Sequence, residues 1–184
     1  MAKGIITLFA AVIACYLMFL YPLGASYHQQ EQLAYTLAYS SVTGFVDAVR
    51  DKGFITPAMV NDLNVQLSQS GHVFDLEMEH GIKKYNPIHT DPADAGTFQA
   101  RFEVYYDFYY TDDLNRVLFP DTSAQATDPD RVYYLKTGDI FRVVVKNVNE
   151  TNAALVRSFL TRTHPDDMAR IYIPYGGMVR NEDY

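Results

Sequence analysis

The residues that could do chemistry in this chain are few and scattered. Five histidines, His28, His72, His80, His89 and His164, show no ligand spacing, and no phosphate loop, GxSxG elbow or zinc pattern is present. Glu77, Glu79 and His80 lie together, yet strict alternation over residues 73–80 makes Glu77 and Glu79 the solvated face of a strand. Two carboxylates without placed partners define no general acid and base. Asp121, Asp128 and Asp130 supply oxygens in a polar loop but lack the glycine and glutamate spacing of a calcium loop. Asp112 and Asp113 fit the start of a helix, where negative charge is favourable. Asn149-Glu150-Thr151 matches a glycosylation sequon, although Thr151 has a simpler duty as a helix cap. No catalytic residue, metal ligand or cofactor site is expected from these patterns.

What remains is the apolar stretch that must carry the chain's organisation. Residues 4–27 are uncharged, 24 in all (27 − 4 + 1), and only Met1, Ala2 and Lys3 precede them. At about 1.5 Å rise per residue such a helix reaches roughly 36 Å, enough to cross ~30 Å of hydrocarbon. Lys3 favours a cytoplasmic N-terminus with the polar sequence outside. Two other readings use the same residues: a cleaved secretory signal ending near Gly24-Ala25-Ser26, and a lipobox at Val12-Ile13-Ala14-Cys15. In the membrane reading, Gly4, Ala10, Ala11, Ala14 and Cys15 are the small residues that let helices approach closely. The free energy of association then lies in packing, since lipid offers apolar surface no gain from burial.

The chain has 184 residues, 48% hydrophobic, with a formal net charge of −7 and no basic run, which disfavours a nucleic-acid partner. Cys15 is the single cysteine, so the polar region has no disulfide. Fifteen Tyr and eleven Phe, with no Trp, make it unusually aromatic.

In chain order, Pro22 with Gly24 marks a possible kink, and two readings stay open: one helix of nearly fifty residues, or two helices broken there. Residues 28–50 are amphipathic, with Leu33, Ala34, Leu37, Ala38, Val42, Phe45, Val46 and Val49 at helical steps. Gly53 supplies a stop, and Thr56-Pro57 opens a second helix. A strand follows over 73–80, with a loop over 81–96. Residues 98–110 form the strongest strand pattern, expected as a central strand burying Phe98, Phe102, Val104 and Phe108. Then come a short helix over 111–119, a hairpin pairing 131–136 with 140–148 across Thr137-Gly138-Asp139, and a helix capped by Thr151 with Leu155, Val156, Phe159 and Leu160 buried. Residues 171–173 form a last strand. The expected fold class is α+β, with a mainly antiparallel sheet of four to five strands and two to three helices behind the long N-terminal helix. The expected division is 1–27 as membrane or filament-core helix, 28–52 as its amphipathic continuation, and 53–184 as an extracytoplasmic domain.

Lys3-Gly4 followed by Ile5-Ile6-Thr7-Leu8-Phe9 resembles the leader of type IV pilins and pseudopilins. The resemblance implies cleavage after Gly4 and packing of the apolar helix in a filament core. Phe9 stands where that family carries a glutamate, so packing rather than charge pairing is expected to hold neighbours. Phe45-Val46-Asp47 through Gly53-Phe54-Ile55-Thr56-Pro57, residues 71–80, Thr137-Gly138-Asp139-Ile140-Phe141 with Val143-Val144-Val145-Lys146-Asn147, and Ile173-Pro174-Tyr175-Gly176-Gly177 resemble single-span proteins of Gram-positive bacteria associated with tight-adherence pilus systems. That resemblance implies a pilin-like or pilus-accessory subunit, and no enzymatic activity is expected. Its partners would be copies of itself through the N-terminal helix, including Pro22, together with the membrane and pilus assembly machinery. The alternative function is a permanently anchored extracytoplasmic domain that binds another molecule.

Overall fold

The computed structural model describes residues 2–120, 125, 128–149 and 171–181. Its first element, α1, is one unbroken helix over Ala2–Lys52 that passes through Pro22, which settles the open choice between one helix and two. The apolar run favours helical backbone throughout. The loss of one donor at Pro22 removes a single hydrogen bond, to the carbonyl four residues earlier, and is too small a defect to end so long a helix.

From Ala34 onward α1 has a buried stripe of Ala38, Val42, Phe45, Val46 and Val49. The stripe is narrower than the sequence pattern suggests, because Leu33 and Leu37 face outward, Leu33 at 64% exposure. Gly53 follows with φ +71, a left-handed cap whose N–H donates to the Val49 carbonyl at 2.8 Å. A two-residue strand β1 (Phe54–Ile55) leads to α2 (Pro57–Ser68). Thr56 caps α2 by accepting from the Met59 N–H at 3.3 Å, and Val60, Leu63 and Leu67 are its buried side.

Strand β2 (Phe74–His89) is twice as long as the alternation over 73–80 predicts, and the loop expected over 81–96 is mostly strand. It pairs antiparallel with β3 (Phe98–Tyr110), Glu79 opposite Tyr110 through to Pro87 opposite Phe102, with a register shift before His89. Pro87 is tolerated because β5 (Ile140–Asn147) pairs only with residues 74–81, so among the described residues no strand lies beside β2 where the missing N–H would point. Helix α3 (Thr111–Leu118) begins where Asp113 accepts from the Tyr110 N–H at 3.3 Å, and it buries Leu114 and Leu118.

The hairpin expected between residues 131–136 and 140–148 does not form. Tyr133–Tyr134 is strand β4 and pairs with β1 instead, with Phe54 opposite Tyr134. Strand β5 lies between β2 and β6 (Tyr172–Met178), a strand that runs well past the three residues expected. The result is an α+β fold with a four-stranded antiparallel sheet in the order β3-β2-β5-β6 and a two-stranded β1-β4 sheet. One face of the large sheet carries Met78, Phe141, Val143, Val145 and Ile173 into the core against α1 and α2. The Phe45 and Phe141 rings meet edge to face there, centroids 6.2 Å apart.

The largest correction concerns β3. It is an edge strand, and Phe98, Phe102, Val104 and Phe108 are exposed, Phe102 at 59%. Helices α1 and α2 pack on the opposite face of the sheet, and among the described residues no element lies over the outer face of β3. The helix expected after Thr151 falls outside the described residues.

Candidate functional site

Three places combine exposure, charge or polarity in ways that bear on function. The first is the N-terminal half of α1. Gly4, Phe9, Ala10, Ala11, Ala14, Cys15 and Pro22 are all exposed, and the domain begins to cover the helix only at Ala34. At 3.6 residues per turn, Gly4 and Pro22, 18 residues apart (22 − 4), lie about five turns apart on one line. Ala11 and Cys15 fall beside that line, Ala14 flanks it, Ala10 lies further round, and Phe9 points to the opposite side. The helix thus gathers four small or ring-closed residues on one stripe and separates Phe9 from them. Thr7 Oγ1 donates to the Lys3 carbonyl at 2.9 Å, so its hydroxyl is satisfied inside the helix. Among the described residues, this is the one helix long and apolar enough to cross a membrane.

The second is a cleft of about 470 Å³ on the outer sheet face, lined by Glu77, Glu79, Tyr110, Asp112 and Arg142. Register explains its charges. Glu79 stands opposite Arg142, and Glu77, opposite Val144, lies diagonal to Lys146 on β5. Arg142 Nε donates to Glu79 Oε2 at 2.6 Å, and Lys146 Nζ donates to Glu77 Oε1 at 2.6 Å. These are exposed cross-strand pairs of small net worth. The reading of Glu77 and Glu79 as a solvated strand face describes their position correctly.

The third was missed. His80 is 2% exposed and belongs to the core face, continuing the Phe74, Leu76, Met78 alternation. Its Nε2 lies 3.0 Å from Asp139 Oδ2 and its Nδ1 lies 2.8 Å from the Tyr133 hydroxyl. Asp139, 3% exposed, also accepts from the Lys136 N–H at 2.8 Å and the Lys83 N–H at 2.9 Å. The period-2 pattern carried the signal for His80, whereas its partners come from loops and a strand more than fifty residues away.

Burial holds the His80 imidazole below its ordinary 6.5, outweighing the hydrogen bond and charge of Asp139, which pull upward. Burial, with smaller effects from Tyr109, Asp113 and Asp139, pushes the Tyr133 phenol up to about 12. A consistent network follows: neutral His80 donates through Nε2 to Asp139 and accepts at Nδ1 from the Tyr133 hydroxyl. His80 and Asp139 are both buried, and the arrangement locks the β2, β4 and β5 ends together. Because the folded pKa is depressed, the unfolded chain binds more protons below 6.5. This contribution to stability is complete above about pH 6.5 and lost as pH falls toward the lowered value. Thermal midpoints between about pH 7.5 and pH 5 should fall more steeply for the wild type than for His80→Gln. Parallel profiles would show that folding leaves the His80 pKa unshifted.

Among the described residues, no group of three or more His, Cys, Asp or Glu side chains is placed to hold a metal ion. No protein-family model, curated protein or solved structure matches this chain.

Proposed function

We propose that this chain is a pilin-like structural subunit, anchored by α1 and assembling with copies of itself through the apolar half of that helix. The observation that carries the reading is the division of labour within one continuous helix. Residues 3–33 contribute almost nothing to the domain core, whereas 34–52 form its spine against an antiparallel sheet. A helix used only as a membrane tether needs no rigid extension into the domain. A helix that must position a domain along a filament does, because an unbroken rod transmits its packing geometry to the domain. In this reading Lys3 lies on the cytoplasmic side, the domain is extracytoplasmic, and pilus assembly machinery extracts the helix from the membrane.

The stripe of Gly4, Ala11, Cys15 and Pro22, flanked by Ala14, is the close-approach surface. Filament yield in sheared surface fractions, measured beside membrane-bound monomer, tests the assignment. Ala14→Leu should reduce filaments about tenfold or more while leaving insertion and domain folding intact, since one added branched side chain props the helices apart. N-terminal sequencing of the sheared material should begin at Ile5. Wild-type filament levels from Ala14→Leu would remove these residues from the contact. Absence of filaments from the wild type in its native host would favour a permanently anchored binding domain.

A further inference from the structure

The open edge of β3 points to a docking site for an extended segment of a partner polypeptide, and we propose that it works by strand addition. The backbone register decides which groups are free. Val148 N–H donates to the Val73 carbonyl at 2.9 Å, so odd-numbered residues of β2 direct their backbone groups toward β5 and even-numbered ones toward β3. Two bonds agree with that parity: Lys83 N–H reaches Asp139 beyond the end of β5, and Met78 N–H reaches Thr111 Oγ1 at 2.8 Å. His80 opposes Tyr109, Ile82 opposes Asp107 and Lys84 opposes Tyr105, so these odd-numbered β3 residues bond to β2. The backbone groups of Phe102, Val104, Tyr106 and Phe108 therefore point away from the sheet. Among the described residues nothing bonds to them.

Natural edges are usually blunted by proline, bulges or cover. The other edge of this sheet is. Asn147 N–H donates to the Ile171 carbonyl at 3.0 Å, so Pro174 sits where β6 would face a new strand and offers no donor. The outward Met178 carbonyl is taken by Arg50 Nε at 2.9 Å. Over residues 102–108, β3 carries neither proline nor bulge; its irregularity, Ala100 at φ +54, lies before this stretch.

The side chains specify the occupant. Phe102, Val104 and Phe108 form an exposed apolar row on the outer face, joined by Tyr85. The opposite face carries Arg101, Glu103 and Asp107, with Asp107 paired to Lys84. A complementary antiparallel strand has apolar residues opposite 102, 104, 106 and 108, an acid opposite Arg101 and a base opposite Glu103. A second copy does not fit. Antiparallel pairing of β3 with its own copy needs a twofold axis normal to the sheet, which reverses a helix lying on that sheet. Chains anchored through α1 with one polarity cannot adopt it, a step that rests on the anchored reading above. Pairing of β3 with a neighbour's β6 is blocked by Pro174.

The probe is the peptide Thr-Val-Lys-Val-Thr-Val-Lys-Val-Glu, written to run antiparallel to residues 101–109 and labelled for anisotropy with the full chain in detergent micelles. It should bind the wild type. The same peptide N-methylated at its valines should bind about tenfold or more weakly, because those amides face β3. Val104→Pro removes one outward donor and leaves the ladder to β2 intact, so it should fold and lose a similar factor. Amides of Val104, Tyr106 and Phe108 should exchange fast in the free chain, those of Tyr105 and Asp107 slowly, and peptide should slow the first set. No binding by the wild type, equal binding of the methylated peptide, or even-numbered amides already protected in the free chain each overturns the proposal. Protection that rises with protein concentration alone would assign the edge to a second copy instead. If Val104→Pro fails to unfold cooperatively, the two peptides on wild-type protein decide. None of these readouts depends on filament formation.

Discussion

Asp139→Ala should lower the stability of the folded domain by about 3–5 kcal/mol, the largest loss expected from any single polar side chain here. Its two oxygens accept three hydrogen bonds, from His80 Nε2, Lys83 N–H and Lys136 N–H, and the residue is 3% exposed. Alanine leaves three buried or half-buried donors without an acceptor, and water cannot reach His80 to replace it. Against a typical total of ~5–15 kcal/mol, such a change removes much of the margin. Thermal unfolding of the full chain in detergent micelles measures it, with a midpoint drop of roughly 10 °C or more expected. Asp139→Asn should lose less, since one carbonyl oxygen remains to accept. A midpoint within experimental scatter of the wild type would mean that the His80 network does not hold the β2 and β5 ends together.

Phe141→Ala should cost about 3–5 kcal/mol, whereas Phe102→Ala should cost under about 1 kcal/mol. Both are phenylalanines on strands with clean alternation, so sequence pattern treats them alike. Phe141 is fully buried, with its ring against Phe45 of α1, and truncation leaves a cavity that the helix cannot fill without moving its whole length. Phe102 is 59% exposed on an edge strand, and its truncation uncovers little that is not already wet. Urea unfolding of both variants in the same micelles gives the comparison. A Phe102→Ala loss equal to that of Phe141→Ala would mean that the outer face of β3 is covered in solution.

The N-terminal helix, the second helix at Thr56-Pro57, the short helix after Tyr110 and the core face of β5 were all legible from local rules. Apolar length, a polar cap followed by proline, and period-2 alternation each act within a few residues, so sequence expresses them directly. The inward set of Phe141, Val143 and Val145 was readable for the same reason. Alternation gave two faces to β3 as well, but it cannot say which face, if either, is covered. That depends on which face of the sheet the helices pack against, and α1 and α2 take the face of Met78, Phe141 and Val143, opposite to Phe102 and Val104. The pairing of Tyr133–Tyr134 was equally invisible. A turn signal at Thr137-Gly138-Asp139 suggested a hairpin, yet Leu135 N–H donates to the Gly53 carbonyl at 2.8 Å and draws the segment to β1 instead.

The His80 network shows the same boundary at single-residue scale. Sequence grouped His80 with Glu77 and Glu79, although the same period-2 alternation carries it to the face of Met78. Only the tertiary structure brought Asp139 to its Nε2, from 59 residues away, and turned a lone histidine into a satisfied one. By itself, then, the sequence determined the apolar helix, its small residues and the period of β3, β5 and the first half of β2, because these follow from backbone geometry and local side-chain chemistry. Tertiary structure decided which strand is an edge, which aromatics are wet and which buried charges are matched. Those outcomes are set by long-range packing, and the free energy of each depends on neighbours that no local window contains.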